Sequence, residues 1–283
     1  MADLNERTRI AHLLRRAGFG GTAAEIAEYQ ALGFEGAVER LLHPEQSPQP
    51  ALDARLDELV VDPAANPGAF AALQIEWFNR MIATKRPLQE KMALFWHGHF
   101  ATANAKVRSP GLMRRQYQLF LRLGLGNFRD LAIGISKDPA MLVWLDGEKN
   151  RAKAPNENYG RELLELFLLG IGNYTEDDVK AAARAFTGWT FRGDRSTVSG
   201  SPYIDGDFTF EEKQHDKAAK PFLGQAIGPP ADGDWLGDGL AVIDIALRQP
   251  ACVRFIAGKL FRFFVWDAPD PATVAPFAEA FAR

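Results

Sequence analysis

A mainly α-helical, multi-helix globular array with one small β-rich excursion is the fold class that this sequence predicts. Two observations carry it. Helix start and stop signals recur along almost the whole chain, and the apolar residues between them follow three-to-four-residue spacing. Only near residues 188–224 does that texture give way to short aromatic and β-branched runs among Gly, Ser and Asp. No internal repeat is visible, so the 283 residues read as a single helical domain, 1–283, long enough to bury a substantial core.

The elements follow in order. Leu4, Ile10, Leu13, Leu14 and Ala17 form a first helix that stops at Gly18-Phe19-Gly20-Gly21. Thr22, with Glu25 three residues on, is a capping box opening a short helix that ends near Gly33. Phe34 to Leu42 is the next, closed by His43-Pro44. Segment 44–67, rich in Pro, Ala and Asp, reads as a surface connection with a short helix at Leu52 to Leu59. Phe70 to Thr84 is amphipathic, with Phe70, Leu73, Trp77 and Met81 on one side; Lys85-Arg86-Pro87 breaks it and Leu88 to His97 follows. Ser109-Pro110 and Asp138-Pro139 each pair an N-cap with proline at the first helical position. Their helices reach about Gly124 and Asp146, with another from Phe128 between them. Asn156 and Thr175 cap helices that begin at Glu157 and Glu176. The excursion holds β-type runs at Trp189-Thr190-Phe191, Tyr203-Ile204 and Phe208-Thr209-Phe210. Helices resume at Leu236 to Leu247, Ala251 to Val265 and Pro271 onward, the last without a closing signal.

Composition narrows the function classes. A net charge of -3 offers no general pull toward nucleic acid. The longest apolar candidate for a membrane span, Ile243 to Val265, is interrupted by Arg248, Pro250, Arg254, Lys259 and Arg262. Cys252, the only cysteine, allows neither an intramolecular disulfide nor a thiolate cluster and reads as a buried, inert thiol. Met1 to Arg7 lacks the basic-then-apolar order of a signal peptide, so the expected compartment is the cytoplasm.

The stretch Pro155 to Phe167 carries the most chemistry. Glu162 and Glu165 lie one turn apart on one stripe with Asn158, in a helix apolar on nearly every side and therefore expected to be buried. Carboxylates in such a place need a metal, a cation or a polar cavity, which makes Glu162, Glu165, Arg161 and Asn158 candidate catalytic residues. His97 and His99 flank Gly98, an expected helix terminator that lets both imidazoles point one way. Imidazole and carboxylate suit zinc, iron or manganese, so His97, His99, Glu162 and Glu165 form a candidate ligand set, with His215 as a further group. The competing reading makes the histidines interior residues bonded to carbonyls and pairs Glu162 with Arg161, Arg184 or Lys153. Lys153 and Asn156, before a helix start, form a candidate anion site, against a solvated loop. No phosphate-binding glycine loop and no serine elbow is present.

Several motifs resemble the bacterial domain-of-unknown-function 1800 family, in order through essentially the whole chain. They are His12-Leu13-Leu14-Arg15-Arg16-Ala17-Gly18-Phe19-Gly20, Phe95-Trp96-His97-Gly98-His99-Phe100, Pro155-Asn156-Glu157-Asn158-Tyr159 and Arg161-Glu162-Leu163-Leu164-Glu165-Leu166. Thr187-Gly188-Trp189, His215-Asp216, Phe222-Leu223-Gly224 and the run Arg254 to Val265 complete the series. The resemblance implies a largely helical fold in a family whose members are often exported and often encoded beside another uncharacterised family; it brings no established activity. Members are usually longer, which implies an incomplete family domain lacking a C-terminal portion. Phe167 stands where relatives often place a histidine, so a metal site does not transfer simply.

Two function classes follow. One is a metal-assisted enzyme, hydrolytic or oxidative, whose His/Glu site activates water or oxygen. The other is a non-catalytic helical interaction or assembly protein built around a buried polar network. The helix Ala251 to Val265 carries more apolar surface than one contact face requires, so a protein partner or the missing C-terminal segment is expected to cover part of it.

Overall fold

Local capping chemistry sets about half of the helix starts. In a computed structural model that describes residues 5–195 and 203–282, Asn5 caps α1 (Glu6–Ala17) and the Thr22/Glu25 capping box opens α2 (Ala23–Gln30), followed by α3 (Gly33–Leu42). Leu4, residues 196–202 of the expected excursion and Arg283 lie outside the described residues. Next come α4 (Pro50–Asp57), α5 (Ala69–Ala83), α6 (Pro87–His99) and α7 (Asn104–Val107). Ser109 caps α8 (Pro110–Leu123), Asn127 caps α9 (Phe128–Ser136) and Asp138 caps α10 (Pro139–Trp144). Asn156 caps α11 (Glu157–Glu162), which runs on as a π-helical segment, Leu163–Leu168. A Thr175/Asp178 capping box opens α12 (Glu176–Ala185). The carboxyl-terminal helices are α13 (Gly237–Leu247), α14 (Pro250–Phe264) and α15 (Pro271–Phe281).

The predicted mainly α architecture is what these elements form. One large core joins residues from α1 through α14, and a small satellite of Ala257, Phe261, Val274 and Ala278 seats α15 on α14. Cys252 is fully buried, and burial pushes its thiol up to about 12. No helix among the described residues is long and apolar enough to cross a membrane.

Among the described residues the excursion forms two antiparallel strand pairs. β1 (Trp189–Arg195) pairs with β2 (Tyr203–Phe210), and β3 (Lys220–Phe222) with β4 (Gln225–Ile227). Tyr203-Ile204 and Phe208-Thr209-Phe210 thus belong to one strand, and the second pair extends past the expected boundary at 224. The first pair is clamped on α8. A Cβ at Gly111 would fall 1.6 Å from the Ile204 carbonyl oxygen, and Arg115 donates to Asp205 at 2.9 Å and Asp207 at 2.6 Å. Gly188 enters β1 at φ +83°, where a side chain would also strike the Glu211 carbonyl at 2.7 Å.

Segment 44–67 is tied down more firmly than a surface connection requires. Ser47, Gln49, Leu56 and Val61 are buried, and α4 begins two residues before the expected Leu52.

Candidate functional site

Two expectations about the polar motifs are corrected by the backbone. Gly98 does not end its helix: α6 continues through it, and Phe100 N–H donates to the Trp96 carbonyl at 2.7 Å. His97 and His99 therefore diverge, as residues two apart on a continuous helix must. Nor is the Glu162/Glu165 helix buried on all sides. The chain widens into π-helical turns at Leu163, where Leu169 N–H reaches back to the Leu164 carbonyl at 2.9 Å. Leu163, Leu164, Phe167 and Leu168 turn inward, while Glu162 and Glu165 stay half-exposed and Leu166 is 46% exposed. A wider turn changes which residues share a face, so an apolar count made at 3.6 residues per turn overstated the burial.

Each candidate has its own surroundings. Glu165 accepts from the Tyr174 hydroxyl at 2.8 Å. Burial, with Glu165 nearby, holds the Glu162 carboxyl above its usual range. Arg161 pairs on the surface with Glu157 at 3.0 Å and Glu176 at 2.7 Å, and Arg184 with Asp216 at 2.7 Å, so neither is committed to Glu162. Asn158 is exposed; its N–H donates to the capping Asn156 side chain at 3.0 Å. Asn156 in turn donates from its backbone to Asn150 Oδ1 at 2.9 Å, and Asn150 Nδ2 donates to the Ala183 carbonyl at 2.8 Å. Lys153 is exposed. The helix start before Glu157 is thus closed by Asn156 itself.

His99 is buried between two fixed partners. Its Nε2–H donates to the Phe167 carbonyl at 3.0 Å, and Nδ1 accepts from Lys259 Nζ at 3.1 Å. Burial, reinforced by the Lys259 charge, pushes its pKa down to about 3, so the ring is neutral. Lys259 also donates to the Leu166 carbonyl at 3.1 Å, and so two carbonyls of the π-helical segment are held from α6 and α14. His215 is equally enclosed, with Nδ1 2.8 Å from the Thr187 carbonyl and Nε2 3.2 Å from Asp238 Oδ2. Lys220 donates to the same Asp238 oxygen at 2.6 Å and to the Asp216 and Ala218 carbonyls. This knot joins the loop after β2 to β3 and α13.

His97 differs from both. It meets Trp77 edge-on at 5.2 Å and Phe120 at 6.5 Å, and among the described residues neither ring nitrogen has a hydrogen-bond partner. Burial lowers its pKa. The candidate donors are therefore not gathered: among the described residues no three His, Cys, Asp or Glu side chains come together to hold a metal ion.

One buried network carried no motif signal. Arg80 and Glu90, with side chains 2% and 0% exposed, pair at 2.9 Å, and the Tyr117 hydroxyl donates to the other oxygen of Glu90. Arg80 also donates to the Leu52 carbonyl at 2.8 Å and to Asp53 at 3.1 Å, so α4, α5, α6 and α8 meet on one guanidinium. Burial raises Glu90, and burial beside Glu90 raises the Tyr117 phenol further. The available signal was Leu73, Glu76 and Arg80 at three- and four-residue spacing, charges on an apolar helical stripe.

The remaining motifs also serve the packing. Arg16 donates to the Phe264 carbonyl at 2.6 Å and the Phe263 carbonyl at 3.2 Å, closing the free end of α14. Tyr159 is buried with its hydroxyl 2.5 Å from Ser136 Oγ, and a Cβ at Gly160 would come within 3.0 Å of the Ala183 nitrogen.

These features define a helical protein whose sequence motifs stand at its internal junctions. The chain belongs to the DUF1800 family, proteins of unknown function, whose family model matches residues 12–283. No curated protein and no solved structure gives a match.

Proposed function

We propose that this chain is a non-catalytic helical interaction protein whose motif residues specify how the helices pack. The observation that carries this reading is the saturation of three motif side chains, His99, His215 and Arg16, by partners within the chain. His99 lies between the Phe167 carbonyl and Lys259, His215 between Thr187 and Asp238, and Arg16 on the last carbonyls of α14. A buried network with every member satisfied favours one packing arrangement over its competitors. Surface for interaction is available on α5, where Ile75, Phe78 and Ile82, at three- and four-residue spacing, are 61%, 67% and 79% exposed.

The alternative, a metal-assisted hydrolytic or oxidative enzyme, needs His97, His99, Glu162, Glu165 and His215 to supply ligands to a common point. The separate partners of His99, Glu165 and His215 weigh against that. Metal analysis of protein purified without chelator tests the choice. The expected result is no stoichiometric zinc, iron or manganese and a melting temperature insensitive to chelator. A stoichiometric metal that is lost on His99→Gln or Glu162→Gln would overturn the proposal.

A further inference from the structure

The amphipathic face of α5 does not close fully against its neighbours. Between α5, α6 and α8 lies a cavity of about 250 Å³, walled by Phe70, Trp77, Phe78, Met81, Met113 and Tyr117, with His97 exposed to its interior. None of its lining residues is Lys, Arg, Asp or Glu. A charged ligand would therefore lose its hydration with no counter-charge to replace it.

The polar groups on the walls differ in what they have left to offer. Gln74, at the rim, is exposed to solvent; Gln116 accepts from Thr102 at 2.5 Å and donates to Asp138 at 2.7 Å, and the Tyr117 hydroxyl donates to Glu90. The imidazole of His97 has no partner among the described residues, and the buried indole Nε1 of Trp77 has none either. The buried Trp77 N–H is costly to leave unpaired unless something supplies the missing bond, while the half-buried imidazole of His97 stays open to an incoming group.

Size and wall chemistry narrow the occupant. A helix with its side chains is about 10–12 Å across, too wide for this space, whereas an engineered apolar cavity of roughly 150 Å³ takes benzene. Trp77 and Tyr117 lie 4.6 Å apart with their planes tilted by 33°, and Trp77 meets His97 edge-on at 5.2 Å, so the wall offers inclined aromatic surfaces rather than a closed stack, and the two methionines adapt to an aromatic ring. A neutral imidazole presents one N–H and one bare nitrogen. A hydroxyl can bond to either.

We infer that this cavity binds a neutral aromatic alcohol of one or two rings, its rings against Trp77 and Tyr117 and its hydroxyl on His97. The site touches the Arg80–Glu90 network through the ring of Tyr117, and it does not depend on whether the protein catalyses a reaction.

Calorimetric titration with 2-naphthol tests it, with naphthalene and 2-naphthoate as comparison ligands. The expected result is one 2-naphthol per chain, bound about tenfold more tightly than naphthalene, the worth of one neutral hydrogen bond, and no binding of the anionic 2-naphthoate. His97→Phe keeps the apolar body and should abolish the preference for naphthol over naphthalene. Met81→Trp fills the cavity from a half-exposed position and should abolish binding of both. Should either variant fail to fold, the wild-type imidazole ¹⁵N resonances still decide, since the His97 signals must shift on adding 2-naphthol. No binding by the wild type, equal affinity for naphthol and naphthalene, undiminished binding by Met81→Trp, or unmoved His97 resonances would each overturn the inference.

Discussion

Glu90 and Glu162 are both glutamates on largely apolar helices, and the two regions around them treat the charge in opposite ways. At the junction of α4, α5, α6 and α8, Glu90 is fully enclosed and held by Arg80 and Tyr117. At the end of α11 the backbone widens, and Glu162 stays half-exposed without an ion-pair partner among the described residues. The difference teaches that a carboxylate's fate is decided by what faces it across the helix contact, not by how apolar its own helix is. Arg80 faces Glu90; solvent faces Glu162.

The sharpest way to break that comparison is to neutralise the buried member. Glu90→Gln leaves Arg80 enclosed without its counter-charge, and the expected loss of folding stability is about 3–5 kcal/mol by urea denaturation. A loss below about 1 kcal/mol would show that Asp53 alone compensates Arg80 and that the junction is less dependent on Glu90 than its geometry implies.

A second test uses pH. His99 has its pKa pushed down to about 3, against an ordinary value of 6.5. Between those values the unfolded chain binds a proton that the folded chain refuses, so stability is fully present above pH 6.5 and falls on acidification by up to about 1.4 kcal/mol per pH unit. Asp138, pushed up to about 7 by burial, acts in the opposite sense, because the folded chain keeps a proton that the unfolded chain releases above about pH 4. Glu90, raised by burial, acts in the same sense as Asp138. These contributions oppose one another in the wild type. His99→Gln removes one side, so its stability should rise on going from pH 7 to pH 5 relative to the wild type. Parallel pH profiles for the two proteins would show that His99 is not held neutral.

The smallest effects are expected at the exposed end. Glu165→Gln weakens one bond to Tyr174 and should cost less than about 1 kcal/mol, while Glu162→Gln should stay within about 0.5 kcal/mol. A loss at Glu162 as large as that at Glu90 would mean that a partner covers this face in solution.

Much of the fold was legible residue by residue. Thr22, Ser109, Asp138, Asn156 and Thr175 were all readable as caps because a cap bonds to N–H groups two or three residues away. The candidate site was less legible. Gly98 is expected to stop a helix, yet α6, packed through Phe95 and Trp96, runs one residue past it and ends at His99. Histidines two residues apart were consequently sent to different neighbours, one saturated and one free. Tyr117 lies 27 residues from Glu90 in the chain and Lys259 lies 160 from His99, and no local pattern marks such pairs.

The amino-acid sequence by itself determined the mainly helical class, the cap positions, the single change of texture near the strand pairs and membership of the family. These depend on spacing and on bonds within one helical turn, and both are written in the order of residues. Only the tertiary structure decided which charges are buried, that Glu162 and Glu165 remain half in solvent, and that His97 faces a cavity while His99 is bonded on both nitrogens. Burial and pairing depend on which helix faces are brought together from distant parts of the chain, and that is settled by packing the whole core at once.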